Sequence, residues 1–504
     1  MNYTKIVRPW FDRLYKELRS GNLNPVGAQS RELSRLIRRG CATEFGRTHS
    51  LRRDMNYEQF RSQVPVTSYA DIRPLVMRMI AGESDVLCPG VVRRYAQSSG
   101  TSDGKSKYIP ISDESLRRNH YKGGSLVVAS YMHLHPESRM FDGKGLILGG
   151  SYANELKLVD KRVKVGDLSA TLIDCINPLV NLARVPSKRV ALMKDWEQKL
   201  PAIVNAARKE NITNISGVPS WFLTVLRRVI EAEGAQTIHD VWPNLEVFFH
   251  GGIAFGPYKE QYDRITRPEK MHYLESYNAS EGFFAVQTSH DDVAMELLAD
   301  AGVFFEFAPV QGDTQGDPVP LWEVEKGKIY ALVITASNGL WRYPIGDTVQ
   351  IESIDPVKIT IAGRTKSFIN AFGEEVMVHN TDAALSHICR ELECEVADYT
   401  AAPLYADGGH KGRHQWLVEF IKAPADIDEF ARCLDKALQD ENSDYQAKRA
   451  GGIFLDPLSV TEVPRGTFDR WLKTTGKLGG QRKVPRLSND RHIVEGVLSF
   501  LSQS

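Results

Sequence analysis

The stretch Ser98-Ser99-Gly100-Thr101-Ser102-Asp103-Gly104-Lys105-Ser106-Lys107-Tyr108-Ile109-Pro110 restricts this chain more than any other. It gathers hydroxyl side chains, two glycines and two lysines into a short span. Glycine lets the backbone approach an anion closely, and successive N–H groups in such a loop form an anion-binding nest. Hydroxyls add neutral donors and lysines add positive charge. The spacing excludes a Walker A loop. That motif reads G-x-x-x-x-G-K, and only three residues separate Gly100 from Gly104. Context excludes it as well. A Walker A loop opens a helix, whereas Pro110 bars an uninterrupted helix here. The preceding Val91-Val92-Arg93-Arg94-Tyr95-Ala96 reads as extended. The expectation is a loop between two strands, either a phosphate cradle or a solvated Ser/Gly-rich hairpin.

The length of 504 residues suggests two or three domains. Basic and acidic residues balance at 63 each, so bulk charge argues for neither nucleic acid nor an anionic membrane as partner. The N-terminal Met1-Asn2-Tyr3-Thr4-Lys5-Ile6 lacks a signal-peptide layout, and apolar runs such as 330–336 are too short to span a bilayer. Six scattered cysteines (Cys41, Cys88, Cys175, Cys389, Cys394, Cys433) read as free thiols of a cytoplasmic protein. Oligomeric state stays open.

Apolar spacing predicts helices over most of residues 1–50, with a break at Asn22-Leu23-Asn24-Pro25, and a further helix over about 113–129. Gly145-Leu146-Ile147-Leu148-Gly149-Gly150 reads as a short buried strand. A helix over 196–209, a strand near 214–217, a helix opened by Pro219 and closed by Gly234, and a strand running into Gly251-Gly252 follow in turn. This alternation predicts an α/β domain with largely parallel pairing. From Met271 the chain turns β-rich, with strands expected at 272–277, 303–307, 329–335, 348–354 and 358–361. A boundary near 363–372 precedes a small α+β domain with helices at 376–389 and 424–439 and strands at 416–421 and 459–463.

Four later segments carry chemistry. Glu275-Ser276-Tyr277-Asn278-Ala279-Ser280-Glu281-Gly282 brings an aromatic, a hydroxyl and a carboxylate to one turn, suited to stacking a base and holding Mg²⁺, or to a plain tyrosine corner. Trp341-Arg342-Tyr343-Pro344-Ile345-Gly346-Asp347-Thr348 offers a carboxylate able to accept both ribose hydroxyls, or one that stabilises its own turn. Gly363-Arg364-Thr365-Lys366 reads as a hinge touching nucleotide or as a polar linker. Gly479-Gly480-Gln481-Arg482-Lys483-Val484-Pro485-Arg486 is a mobile loop able to carry a lysine, or a solvated basic tail.

The order of phosphate loop, base-and-metal turn, ribose Asp, hinge and late lysine is similar to that of the acyl-adenylate-forming enzymes. The Ser98–Lys107 loop, the Trp341-Arg342-Tyr343 to Gly346-Asp347 turn and the Gln481 to Arg486 ending resemble the Gretchen Hagen family of acyl acid amido synthetases over essentially the whole chain. Two departures stand out. Asn278-Ala279 replaces a glycine-and-hydroxyl pair, and Arg482 sits where an aromatic often precedes the lysine. The resemblance implies a large N-terminal adenylate-forming α/β domain with a β-rich portion (1–365) and a small mobile C-terminal α+β domain (366–504).

It implies an ATP-dependent ligase that adenylates a carboxylic acid and passes the acyl group to an amine, usually of an amino acid. By that resemblance Ser98, Ser99, Gly100, Thr101, Ser102 and Lys107 hold the phosphates, and Glu281, beside Ser280, binds Mg²⁺. Tyr277 and Gly251-Gly252 flank adenine, and Asp347 holds ribose with Arg364 as a second contact. Lys483 reaches the α-phosphate, and Lys366 sits at the turning point. Tyr121, Val218 and Phe222 are candidates for the acid pocket or for core packing. An acyl-CoA ligase, a stand-alone adenylating enzyme and a non-catalytic adenylate-binding protein are the alternatives.

Overall fold

A computed structural model of the protein describes residues 3–98, 107–152, 154, 156, 158, 160–253, 255–311, 314–364, 368–405, 411–452, 454–474 and 484–503. The chain divides into two compact units, one formed by Met1–Ser98 with Lys107–Thr365 and the other containing Lys366–Ser504.

The first unit is built on a long mixed sheet. One half is parallel. His272–Ala279, Val247–Gly251, Ile212–Gly217, Lys144–Ile147 and Arg184–Val185 lie side by side in that order. Val247–Gly251 is buried at every position, as a strand covered by helices on both faces must be. The covering helix Pro219–Glu233 follows from local signals. Pro219 occupies the first turn, and Gly234 caps the end at φ +61°. The other half is an antiparallel meander. It runs from Gly282–Gln287 through Met295–Leu297, Val357–Arg364, Tyr343–Ile354 and Ile329–Ala336 to Val303–Gln311. The hairpin between His272–Ala279 and Gly282–Gln287 joins the two halves.

Three segments differ from expectation. The strand expected from residue 348 begins at Tyr343 and takes in Pro344 and Gly346. It does so through an irregular register. Pro344 faces Val333 and Thr348 faces Ala331, so three residues, Ile345-Gly346-Asp347, stand opposite Leu332 alone. Gly346 takes φ +95° inside this bulge, where only glycine is unstrained. Gly363 and Arg364, expected in a linker, belong to the Val357–Arg364 strand, which pairs with Tyr343–Ile354. The helix expected over 113–129 begins as an α-helical turn, Asp113–Ser115, and passes through a π-helical segment, Leu116–His120, before the regular helix Tyr121–Leu134.

The hairpin reading of the phosphate segment matches the described strands. Arg94–Ser98 and Lys107–Pro110 pair antiparallel, with Ser98 opposite Lys107, and Lys164–Gly166 adds a third, parallel strand.

The second unit has its own sheet, Glu395–Leu404, Arg413–Lys422 and Ser459–Val463. Among the helices packed around it are Val378–Glu391, Ile427–Glu441 and His492–Gln503. A separate apolar cluster includes Leu417, Val463, Phe468, Val484 and Val494. No described helix is long and apolar enough to cross a membrane.

Candidate active site

The parallel strands Ile212–Gly217, Val247–Gly251 and His272–Ala279 all deliver their carboxyl ends to one edge of the sheet. In open α/β sheets ligands bind outside these ends. Gly251 shows how tightly the edge is built. A Cβ there would lie 2.3 Å from the Ser276 carbonyl oxygen, so no larger residue fits without moving backbone. Gly252, the next residue, lies 3.6 Å (ideal Cβ) from Val218.

His272–Ala279 ends in the two-residue turn Ser280-Glu281, with Ala279 paired to Gly282. Glu281 is buried, and its carbonyl accepts a hydrogen bond from Asn338 Nδ2 at 3.3 Å. Tyr277, three positions before the turn, is buried edge to face against Phe284 at 5.1 Å. Its hydroxyl donates to Asp347 Oδ2 at 2.7 Å. The Tyr277 ring is enclosed by protein, and what it presents is a hydroxyl that orients the carboxylate. Asp347 is itself buried at the Ile345-Gly346-Asp347 bulge, opposite Arg364 in the register. A bulge re-aims the side chain it carries.

The hairpin reaches the same place. Tyr108 N donates to the Tyr69 hydroxyl at 2.6 Å. The Lys107 ammonium lies 6.0 Å from the Tyr69 ring centroid and 5.8 Å from that of Tyr343, within cation–π range. The Tyr69 phenol is pushed up to about 12, chiefly by burial, with the Glu281 carboxylate adding to the rise. Lys107, Tyr69, Glu281, Tyr343, Asp347 and Tyr277 thus form one neighbourhood from five separate elements.

Trp341 and Arg342 turn out to anchor this neighbourhood. Trp341 Nε1 donates to Leu87 O at 2.8 Å, and its indole fills the space a Gly40 side chain would need. Arg342, at φ +45°, makes a buried ion pair with Glu306 at 2.8 Å and donates to the Val64 carbonyl at 2.9 Å.

The remaining expected residues are spread more widely. Ser98 sits half-buried at the strand end facing Lys107. Tyr121 donates to the Leu172 carbonyl at 2.8 Å and is half-buried. Val218 is the residue preceding helix Pro219–Glu233. Phe222 is fully buried against Phe248 at 5.2 Å and abuts Gly217, which makes it a core side chain rather than a pocket wall. Ser99, Gly100, Thr101, Ser102, Lys366 and Lys483 lie outside the described residues. The basic tail resolves differently from expectation just beyond Lys483. Val484 is buried, the Pro485 carbonyl accepts from Thr400 at 2.8 Å, and Arg486 pairs with Asp382 at 2.5 Å. From Val484 onward the chain is fastened to the second unit's sheet.

Two residues escaped the sequence reading. Tyr69 opens helix Tyr69–Ile80 behind a Ser68/Asp71 capping box, a readable helix start, but nothing local links it to Tyr108. Glu275 lies in the strand two residues before Tyr277, and burial raises its carboxyl to about 7.

Comparison with known proteins decides the family. The GH3 family N-terminal domain matches residues 14–271, its central domain 296–364 and its C-terminal domain 379–492. The chain belongs to the GH3 family. Among relatives of this GH3 chain, jasmonoyl–L-amino acid synthetase JAR6 of Nicotiana attenuata is 23% identical, over 94% of this chain and 93% of the relative. Indole-3-acetic acid-amido synthetase GH3.8 of Oryza sativa subsp. indica is 25% identical, over 94% and 90%. Among solved structures, AtGH3.15 acyl acid amido synthetase in complex with 2,4-DB superposes with a TM-score of 0.61 at 19% identity, covering 98% of this chain and 96% of that one. A 2-hydroxyisobutyryl-CoA ligase in complex with 2-HIB-AMP and CoA gives 0.54 at 13% identity, over 95% and 92%. These two likenesses show that this GH3 chain has the fold of adenylate-forming enzymes.

Proposed function

We propose that this GH3 chain is an ATP-dependent acyl acid amido synthetase. It converts a carboxylic acid and ATP to acyl-AMP and pyrophosphate, then passes the acyl group to the amine of an amino acid. The observation that carries the reading is the convergence of Lys107, Glu281 and the Tyr277–Asp347 pair at one end of the parallel strands. Family membership and the activities named for its relatives support it.

In the first step a carboxylate oxygen of the acid attacks the α-phosphorus, and pyrophosphate leaves with its electron pair. Charge spreads over phosphate oxygens, so the protein's work is positioning and electrostatic stabilisation. The Ser98–Lys107 hairpin receives the leaving pyrophosphate through hydroxyls, backbone N–H groups and the Lys107 charge. Asp347, set by the Tyr277 hydroxyl, accepts from the ribose hydroxyls, with Arg364 beside it. Gly251 and Gly252 line the adenine side. Glu281 fits a magnesium ion. It is a buried carboxylate at the site, hard oxygen donors suit that ion, and the bound ion would neutralise phosphate charge. Lys483 supplies a cation to the α-phosphate, and Lys366 marks the hinge about which the second unit swings between the two steps.

In the second step the amine nitrogen attacks the acyl carbon, AMP leaves with its oxygen, and the nitrogen loses a proton. Tyr121 and Val218 border the acid-binding side.

Acid-dependent exchange of labelled pyrophosphate into ATP tests the first step across a panel of aromatic, fatty and small polyketide-like acids. Amide formation from the twenty amino acids with the best acid tests the second. The reading requires exchange with at least one acid and an amide plus AMP with at least one amino acid. A thioester on adding CoA, with no amide, would replace it by an acyl-CoA ligase.

A further inference from the structure

Three histidines outside the proposed active site converge. His135 follows helix Tyr121–Leu134, His272 opens the strand His272–Ala279, and His290 follows the strand Gly282–Gln287. The fold brings them together by simple geometry. In the hairpin Ser276 faces Val286, and extending that register four residues places His272 opposite His290. The helix before His135 packs across the Gly282–Gln287 strand. One nitrogen from each ring lies within 4.8 Å of the others. His135 Nε2 and His290 Nε2 are 2.7 Å apart, and the His135 and His272 ring centroids are 3.9 Å apart.

We infer that His135, His272 and His290 form a binding site for a divalent transition-metal ion, Zn(II) by preference. Imidazole nitrogen suits this ion class. Zn–N bonds of about 2.0–2.1 Å in a tetrahedral site space the ligand atoms by about 3.3 Å. That lies between the 2.7 Å of the closest pair and the 4.8 Å outer limit. Two outer groups already orient the ligands in the manner of metal sites. The Glu137 carboxylate accepts from His135 Nδ1 at 3.1 Å, which leaves Nε2 facing the other rings. The His290 ring is hydrogen-bonded to the Tyr273 backbone. The Tyr131 ring walls one side, 4.7 Å from His135 and 6.0 Å from His272. His290 is exposed, so the fourth position opens to water.

The site is structural rather than catalytic. His272 stands five residues before Tyr277 in the same strand, which separates the two by about 17 Å. A bound ion ties the end of one helix to both strands of the hairpin that carries Ser280-Glu281.

Co(II), whose four-coordinate form absorbs strongly in the visible, is the probe. The full chain is stripped with chelator and titrated with Co(II), then with Zn(II). The expected result is a saturable visible spectrum at equimolar Co(II), abolished by Zn(II). Zn(II) also raises the melting temperature of the stripped protein, as any ligand of the native state does. His290→Ala, at an exposed position, loses both effects while melting like the wild type in chelator. Glu137→Gln weakens Co(II) binding about tenfold, and His387→Ala, in the second unit, changes nothing. Absence of a saturable spectrum, or an unchanged spectrum in His290→Ala, would overturn the assignment.

Discussion

Arg342 holds a left-handed backbone conformation, φ +45°, while its guanidinium neutralises the fully buried Glu306. The Tyr57 hydroxyl also donates to that carboxylate at 3.0 Å, and burial with the Glu306 charge pushes the phenol up. Removing the arginine strands a buried carboxylate. Arg342→Ala is expected to cost about 3–5 kcal/mol of stability, read in chemical denaturation, even though the residue adjoins the site and looks functional in sequence. Asp347 behaves differently. Asp347→Ala should weaken ATP binding by about 1.5–3 kcal/mol, and Tyr277→Phe by about 1 kcal/mol because the carboxylate loses its orienting donor. Both variants should melt near the wild type, and a loss of folding without loss of affinity would assign them to the core instead. Glu275 gives a pH signature. Its folded carboxyl titrates near 7 against an ordinary 4.5. Between those values the folded state keeps a proton that the unfolded chain has released, so stability falls as pH rises through this window and levels off above it. Glu275→Gln removes that fall. It should be more stable than wild type at pH 8 by on the order of 1–3 kcal/mol, and equal stability at pH 8 would contradict the raised value.

At the scale of elements, what the sequence reveals depends on how local the cause is. The Pro219 start and Gly234 stop of one helix, and the Ser459–Val463 strand, are readable because each rests on neighbouring residues. The two strands flanking the Ser98–Lys107 loop are readable for the same reason. Gly363 and Arg364 look like linker because glycine beside a cation has no strand signature. Their strand exists through pairing with Thr348 and Asp347, about sixteen residues away. The bulge that aims Asp347 is likewise a property of two strands together. Tyr69 is invisible as a site residue because its partner Tyr108 is 39 positions distant. Gly251→Ala drives a methyl toward the Ser276 carbonyl oxygen, 2.3 Å from the ideal Cβ, and the neighbouring strand must shift. Activity should fall about tenfold through ATP KM, whereas Gly234→Ala, at the αL cap of helix Pro219–Glu233, should lose stability and leave KM unchanged.

At the scale of the whole molecule, the two units carry separate apolar cores. Residues 1–365 expressed alone are expected to fold and bind ATP, yet to give no acid-dependent exchange, because Lys483 is missing. Lys483→Ala in the full chain should reproduce that loss while sparing ATP affinity. The second unit holds Val484 to Arg486 through its apolar cluster, Thr400 and Asp382. In this mechanism the carboxylate attacks the α-phosphorus and the resulting acyl adenylate meets an amine. A heavy-oxygen-labelled acid tests it most directly. With both carboxylate oxygens labelled and mass spectrometry of the products, one labelled oxygen is expected in AMP, one in the amide and none in pyrophosphate. Label in inorganic phosphate with ADP as the nucleotide product would mean attack at the γ-phosphorus, and would contradict it.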